Sequence, residues 1–180
     1  MTRFPLLLAA GAAALAASPS LGPAAPARSC SAGQASALKG HNSDAPVDMS
    51  ADRLDVEDKA NRATFSGNVV ATQGNLTLTA ARVTAAYTRQ QKTRIERLDA
   101  SGGVVVRSPS ETARGAYGIY DLNKKVITLV GNVTLSRCDG TLNGGRLVYD
   151  LESGHVMMDG SGPSQNGRVS GTFTVPRKGG

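Results

Sequence analysis

From Ser50 to Gly160 the chain repeats one strand-forming phrase: a small residue, an arginine, an alternating run, a turn, then Gly-Asn-Val or a near copy. Arg53, Arg82, Arg114 and Arg146 each open such a run, at spacings of 29, 32 and 32 residues. Gly67-Asn68-Val69, Gly102-Gly103-Val104 and Gly131-Asn132-Val133 fall between them. A period of roughly 30 residues signals supersecondary units stacked on one another, each here the length of a β-hairpin with its connectors. This confines the chain to an extended sheet and directs the search for function to the faces of that sheet.

Within each phrase the side chains alternate. Phe65, Val69 and Ala71 stand against Thr64, Ser66 and Asn68. Leu76, Leu78 and Ala80 give way to Val83, Ala85 and Tyr87 on the opposite parity, which predicts a bulge near Ala80 to Arg82. Strict period two over such lengths argues half-buried antiparallel strands. Turn chemistry separates them at Asp58-Lys59-Ala60-Asn61, Gln73-Gly74-Asn75, Asp121-Leu122-Asn123-Lys124 and Asp139-Gly140. Gly67, Gly102 and Gly131 read as backbone requirements at bulges or close sheet approach.

The expected fold is all-β and antiparallel, with one apolar face. That face takes Leu54, Val56, Phe65, Val69, Leu76, Leu78 and Val83 from the first half of the chain. The second half adds Val104, Val106, Tyr117, Ile119, Ile127, Leu129, Val133, Leu135, Leu142, Leu147 and Tyr149. Aromatic residues are only 4% of the chain and Trp is absent, so the core between two sheets is thin. Val, Leu, Ala and Gly fit a trough better than a filled interior.

Charge and motifs narrow the function classes. The net charge of +6 suits anionic partners in general. The stacking aromatics of a single-strand nucleic-acid groove are missing, which argues against nucleic acid. No G-x-S-x-G, H-E-x-x-H or phosphate-binding loop occurs, and the two histidines, His41 and His155, lie in unrelated contexts. The chain reads as a non-enzyme without cofactor or metal. Cys30 and Cys138 could pair in an oxidising compartment.

Residues 1–27 have the form of a cleavable signal peptide: Arg3, an apolar stretch from Phe4 to Ala17, and small residues at Ala25-Pro26-Ala27. Residues 28–46 read as a flexible leader, 47–175 as the β domain, and 176–180 as a flexible tail.

The stretch Phe65-Ser66-Gly67-Asn68-Val69-Val70-Ala71-Thr72-Gln73-Gly74-Asn75-Leu76 resembles the signature of the OstA-like (LptA) family of periplasmic lipopolysaccharide-transport proteins. Val126 to Leu135 resembles the family's later strand, and Asp48-Met49-Ser50-Ala51-Asp52 the opening of its domain. The resemblance implies a twisted, partly open antiparallel β-jelly roll. Its apolar groove would hold the acyl chains of lipid A, and the groove residues would be the apolar set named above. It also implies head-to-tail pairing with other copies, an LptC-like partner at the inner membrane and an LptD-like partner at the outer membrane, hence the periplasm. The rival readings are a structural or adhesive β-solenoid binding surface polysaccharide, and a carbohydrate-active enzyme on a similar sheet.

Overall fold

Three long strands are broken at the same level by two consecutive residues in the left-handed region, and this break shapes the molecule. The pairs are Gly67 and Asn68 (φ 79° and 45°), Gly102 and Gly103 (82° and 74°), and Gly131 and Asn132 (85° and 48°). Only glycine, and at some cost asparagine, adopts this conformation readily. The computed structural model describes residues 41–89, 92–161 and 167–174. The expected signal peptide, Cys30, most of the leader and the tail lie outside these residues.

The strands are β1 (Asp48–Ser50), β2 (Arg53–Glu57), β3 (Arg62–Gln73), β4 (Leu76–Arg89), β5 (Thr93–Arg107), β6 (Glu111–Asp121), β7 (Val126–Arg137), β8 (Gly140–Asp150), β9 (Val156–Asp159) and β10 (Ser170–Phe173). All pair antiparallel in one sheet in the order β1-β3-β4-β5-β6-β7-β8-β10. At the two edges β2 also lies on β3 and β9 on β8. The first and last strands do not pair with each other, so the sheet is not closed.

Each break is a bulge in which two residues oppose one. Gly67-Asn68 faces Ala81, Gly102-Gly103 faces Ala116, and Gly131-Asn132 faces Gly145. The expected shift near Ala80 to Arg82 lies between Thr79 and Arg82. A bulge bends its strand and sharpens the twist. Set side by side at one level, the bulges fold the sheet along a crease into two arms. The first arm carries the turns at Gly74, Ser108 to Ser110 and Cys138-Asp139; the second carries those at Asp58 to Asn61, Leu122 to Lys125 and Leu151 to His155.

The crease is tight. A Cβ built on Gly67 would lie 2.3 Å from the Asp52 carboxylate, on Gly102 2.6 Å from the Ala81 Cβ, and on Gly131 2.9 Å from the Ala116 Cβ. Asp52 occupies the gap between β1 and β2, donating its N–H to the Gly67 carbonyl at 3.0 Å and accepting from Asn68 Nδ2 at 2.9 Å.

The core lies between the arms. Val83, Val104, Leu129 and Val133 are fully buried there. Gly102→Ala is expected to lose about 2–4 kcal/mol of stability, because left-handed strain adds to overlap with Ala81. Gly103→Ala, with open space around its Cβ position, should lose about 1 kcal/mol. Urea denaturation of the two variants measures both; equal losses would contradict the packing argument.

Candidate functional site

Register places four ranks of side chains on the inner faces. On the second arm one rank runs Leu54, Phe65, Val83, Ala100, Gly118, Leu129, Leu147, Met158. The next runs Val56, Ala63, Ala85, Leu98, Tyr120, Ile127, Tyr149, Val156. The first arm answers with Met49, Ala71, Leu78, Val106, Ala113, Leu135, Leu142. Nearer the crease on this arm lie Val69, Ala80, Val104 and Val133. Together they form an apolar trough between the arms.

Most residues expected on the apolar face are there. Val69, Leu76, Leu78, Val83, Val104, Val106, Ile127, Leu129, Val133, Leu135, Leu147 and Tyr149 are buried, and Phe65 and Leu142 pack against them. Leu54 and Val56 face the trough from the edge strand β2 and stay 54% and 49% exposed. Tyr117 and Ile119 are a correction: they point to the outer face, with Tyr117 61% exposed. Gly118 and Tyr120 take the inward positions instead. A Cβ on Gly118 would meet Leu129 Cδ2 at 2.9 Å and Val104 Cγ1 at 3.0 Å, so the inner face has no room for a side chain there. Arg114 also departs from the repeat: Tyr117, not Arg114, stands in register with Arg82 and Arg146.

The trough is uneven along its length. Around Val106, Ala113, Leu129, Leu135, Leu147 and Tyr149 only about 10 Å³ of space remains. At the β1/β2 edge a cleft of about 410 Å³ opens, lined by Val47, Met49, Val56, Ala63, Phe65, Ala85, Tyr87, Arg89, Thr93 and Ile95. The cause is side-chain size: Ala63 and Ala85 occupy the rank that Tyr120, Ile127 and Tyr149 fill further along.

Two hydrogen bonds tie the free ends of the arms together. Tyr120 donates its hydroxyl to Gln73 Oε1 at 2.7 Å, and Tyr149 donates to Glu111 Oε1 at 2.9 Å. Arg137 Nε donates to Glu111 Oε2 at 2.9 Å, so the buried carboxylate carries a partner charge. Burial first, then the neighbouring Glu111 carboxylate, holds the Tyr149 phenol far above its ordinary value, which keeps it a donor. Burial likewise raises Tyr120.

The leader's end also departs from expectation. His41 is buried, and Gln73 Nε2 donates to the carbonyls of Ser43 and Ala45 at 2.8 and 2.9 Å. That fixes the Gln73 amide, so its Oε1 accepts and His41 Nε2, 3.1 Å away, carries a proton. Residues 41–47 thus form a strap from the first arm toward the turns of the second, where Asp44 meets Lys125 at 4.0 Å. No sequence signal marked Gln73 or Glu111: each sits beside a turn, where polar residues are ordinary.

Two of the four basic residues clustered between β4 and β5 are already paired. Arg89 bonds Asp58 and lies over the Tyr87 ring, 5.0 Å from its centroid. Arg97 bonds Asp99 at 2.6 and 2.9 Å, whereas Lys92 and Arg94 are exposed without an ion pair among the described residues. Cys138 is disulfide-bonded; Cys30, the partner considered for it, lies outside the described residues.

The family described as "LptA/(LptD N-terminal domain) LPS transport protein" matches residues 48–155. An uncharacterized protein of Rhizobium meliloti (strain 1021) is 30% identical over 128 residues, covering 67% of this chain and 69% of its own. The lipopolysaccharide export system protein LptA of Haemophilus influenzae is 26% identical over 126 residues, covering 67% and 73%. The crystal structure of LptH from Pseudomonas aeruginosa, described as the LptA-homologous periplasmic component of the lipopolysaccharide transport device, superposes with a TM-score of 0.68 at 20% identity. The likeness covers 75% of this chain and 99% of that one, and it establishes the twisted β-jelly roll.

Tyr149→Phe removes a bond to a buried carboxylate and is expected to lose about 1.5–3 kcal/mol, against about 1 kcal/mol for Tyr120→Phe at a neutral amide. Urea midpoints of the two variants give the order; a larger loss at Tyr120 would contradict this account of the two ties.

Proposed function

The chain belongs to the LptA/LptD N-terminal-domain family of lipopolysaccharide-transport proteins, and on that premise we propose that it is a periplasmic carrier shielding the acyl chains of lipid A in its trough. Head-to-tail contacts through its sheet edges would extend that trough toward an LptC-like protein at the inner membrane and an LptD-like protein at the outer membrane. The observation that carries the reading is the apolar cleft of about 410 Å³ at the β1/β2 edge, continuous with the inner ranks of both arms.

The energetics support entry there. An acyl chain of roughly ten methylenes recovers on the order of 8 kcal/mol when taken out of water. Each tie between the arms is worth only about 1–3 kcal/mol. Cargo burial therefore outweighs the two ties, and the filled part of the trough yields to a chain advancing from the open edge. The side chains along the path are similar and apolar, so no single contact traps the lipid.

The edges support extension. β2 exposes Leu54 and Val56 beside a backbone edge that is unpaired among the described residues, and β10 exposes Phe173. Unpaired strand edges invite pairing with another chain. Here the two ends of one sheet differ, so a second copy adds head to tail and leaves a free edge for the next.

Photo-crosslinking residues placed at Phe65, Ala85 and Ile95 are expected to capture lipopolysaccharide in the periplasm, while Ile119 and Thr128 on the outer face capture little. Uniform capture at both sets, or capture at neither, would end the proposal.

A further inference from the structure

The trough accounts for the inner face and leaves unexplained the arginines that punctuate the sequence. They lie on the opposite face of the sheet, along the crease. Register runs Arg53, Ser66, Arg82, Ser101, Tyr117, Val130, Arg146 across seven strands. Arg53, Arg82, Tyr117 and Arg146 are exposed and occupy alternate strands of one line. Two strand spacings separate neighbours by roughly 10 Å. The residues between them, Ser66, Ser101 and Val130, are short, so the four long side chains stand clear.

The arginines of this line are available. Arg82 and Arg146 form no ion pair among the described residues, and Arg53 meets Asp55 only at 3.9 Å, both side chains being largely exposed. Such a pair contributes little and exchanges readily for another anion. Arg114 and Arg107 extend the positive character onto the first arm, whose outer ranks hold no acid except Asp48 at the edge; Asp52, at the crease beside Arg53, accepts from Asn68 Nδ2. Asp159 closes the arginine line beside Arg146.

The second arm is the reverse. Its outer ranks carry Asp55, Asp99, Glu57, Asp121 and Asp150 against Arg62, Arg94 and Arg97, so acids outnumber bases there. A narrow basic line flanked on one side by acids suits a linear polyanion. A broad anionic plane such as a bilayer would be repelled by that flank. The interval between guanidiniums also selects the polymer. Duplex DNA presents one charge per about 1.7 Å of its axis, far denser than three arginines at intervals of roughly 10 and 20 Å, with Tyr117 between Arg82 and Arg146. A sparse polyanion matches better. Guanidinium forks bind carboxylates two-pronged, and Tyr117 adds a flat ring with a polar tip.

We propose that the convex crease is a second binding surface, in which Arg53, Arg82, Tyr117 and Arg146 hold a linear acidic polysaccharide bearing widely spaced carboxylates. The surface faces away from the trough, so its partner is separate from any cargo held between the arms, and the proposal stands independently of lipid carriage.

The test uses the whole exported protein, hyaluronan fragments (one carboxylate per disaccharide), a short DNA duplex, and phosphatidylglycerol–phosphatidylcholine vesicles. Two triple variants remove equal charge: R53Q/R82Q/R146Q on the line, and R62Q/R94Q/R168Q off it. Circular dichroism establishes that both are folded. The wild type and the off-line variant should bind hyaluronan with salt-sensitive affinity, and the on-line variant should bind it roughly tenfold or more weakly. Tyr117→Ser should weaken binding without altering its salt dependence. Equal weakening in both triple variants would reduce the effect to net charge and overturn the proposal. So would a wild-type preference for DNA or vesicles, or no hyaluronan binding at low salt.

Discussion

The tandem left-handed residues at the crease are the constraint on which the rest depends. A ten-stranded sheet whose inner positions are nearly all apolar has no partner layer, and among the described residues no helix covers it. It can bury its apolar face only against itself. The bulges at Gly67-Asn68, Gly102-Gly103 and Gly131-Asn132 make that geometry available by bending neighbouring strands at one level. The small residues opposite them, Ala81, Ala116 and Gly145, let the bent backbones approach. Inner ranks, arm ties and outer line all follow from where those bends fall.

The same bends explain what was readable in the sequence and what was not. Period two identified the strands, and the parity change after Ala80 located a bulge, because both are local properties of the chain. Tyr117 and Ile119 misled for a local reason as well. Two bulky apolar residues at alternate positions mimic an inward pair, while the true inward neighbour of Leu129 is Gly118, which leaves no hydrophobic mark. The placement of Arg114 failed with them: it stands in register with Thr79 and Asn143, three residues before the position that Tyr117 shares with Arg82 and Arg146.

The non-local features had no sequence signature. Gln73 lies 47 residues from Tyr120, and Glu111 lies 38 from Tyr149. Nothing near any of them shows that two arms will bring them together. His41 to Ala45 looked like leader by composition, because Ser, Asn and Asp favour loops wherever they occur. Their order comes from one glutamine that accepts and donates across three segments.

An apolar trough in water has a difficulty that the uneven interior resolves. A wide empty slot would expose contiguous apolar surface and favour aggregation. A slot filled throughout would leave an acyl chain nowhere to begin. Here Tyr120, Ile127 and Tyr149 fill one stretch and the two tyrosine hydroxyls cap it with hydrogen bonds, while Ala63 and Ala85 leave the other stretch open at a sheet edge. For a carrier of the proposed kind, the filled stretch hides its own surface when empty and exchanges side-chain contacts for lipid contacts when loaded. Both states keep the face out of water, so loading needs little more than the breaking of two ties.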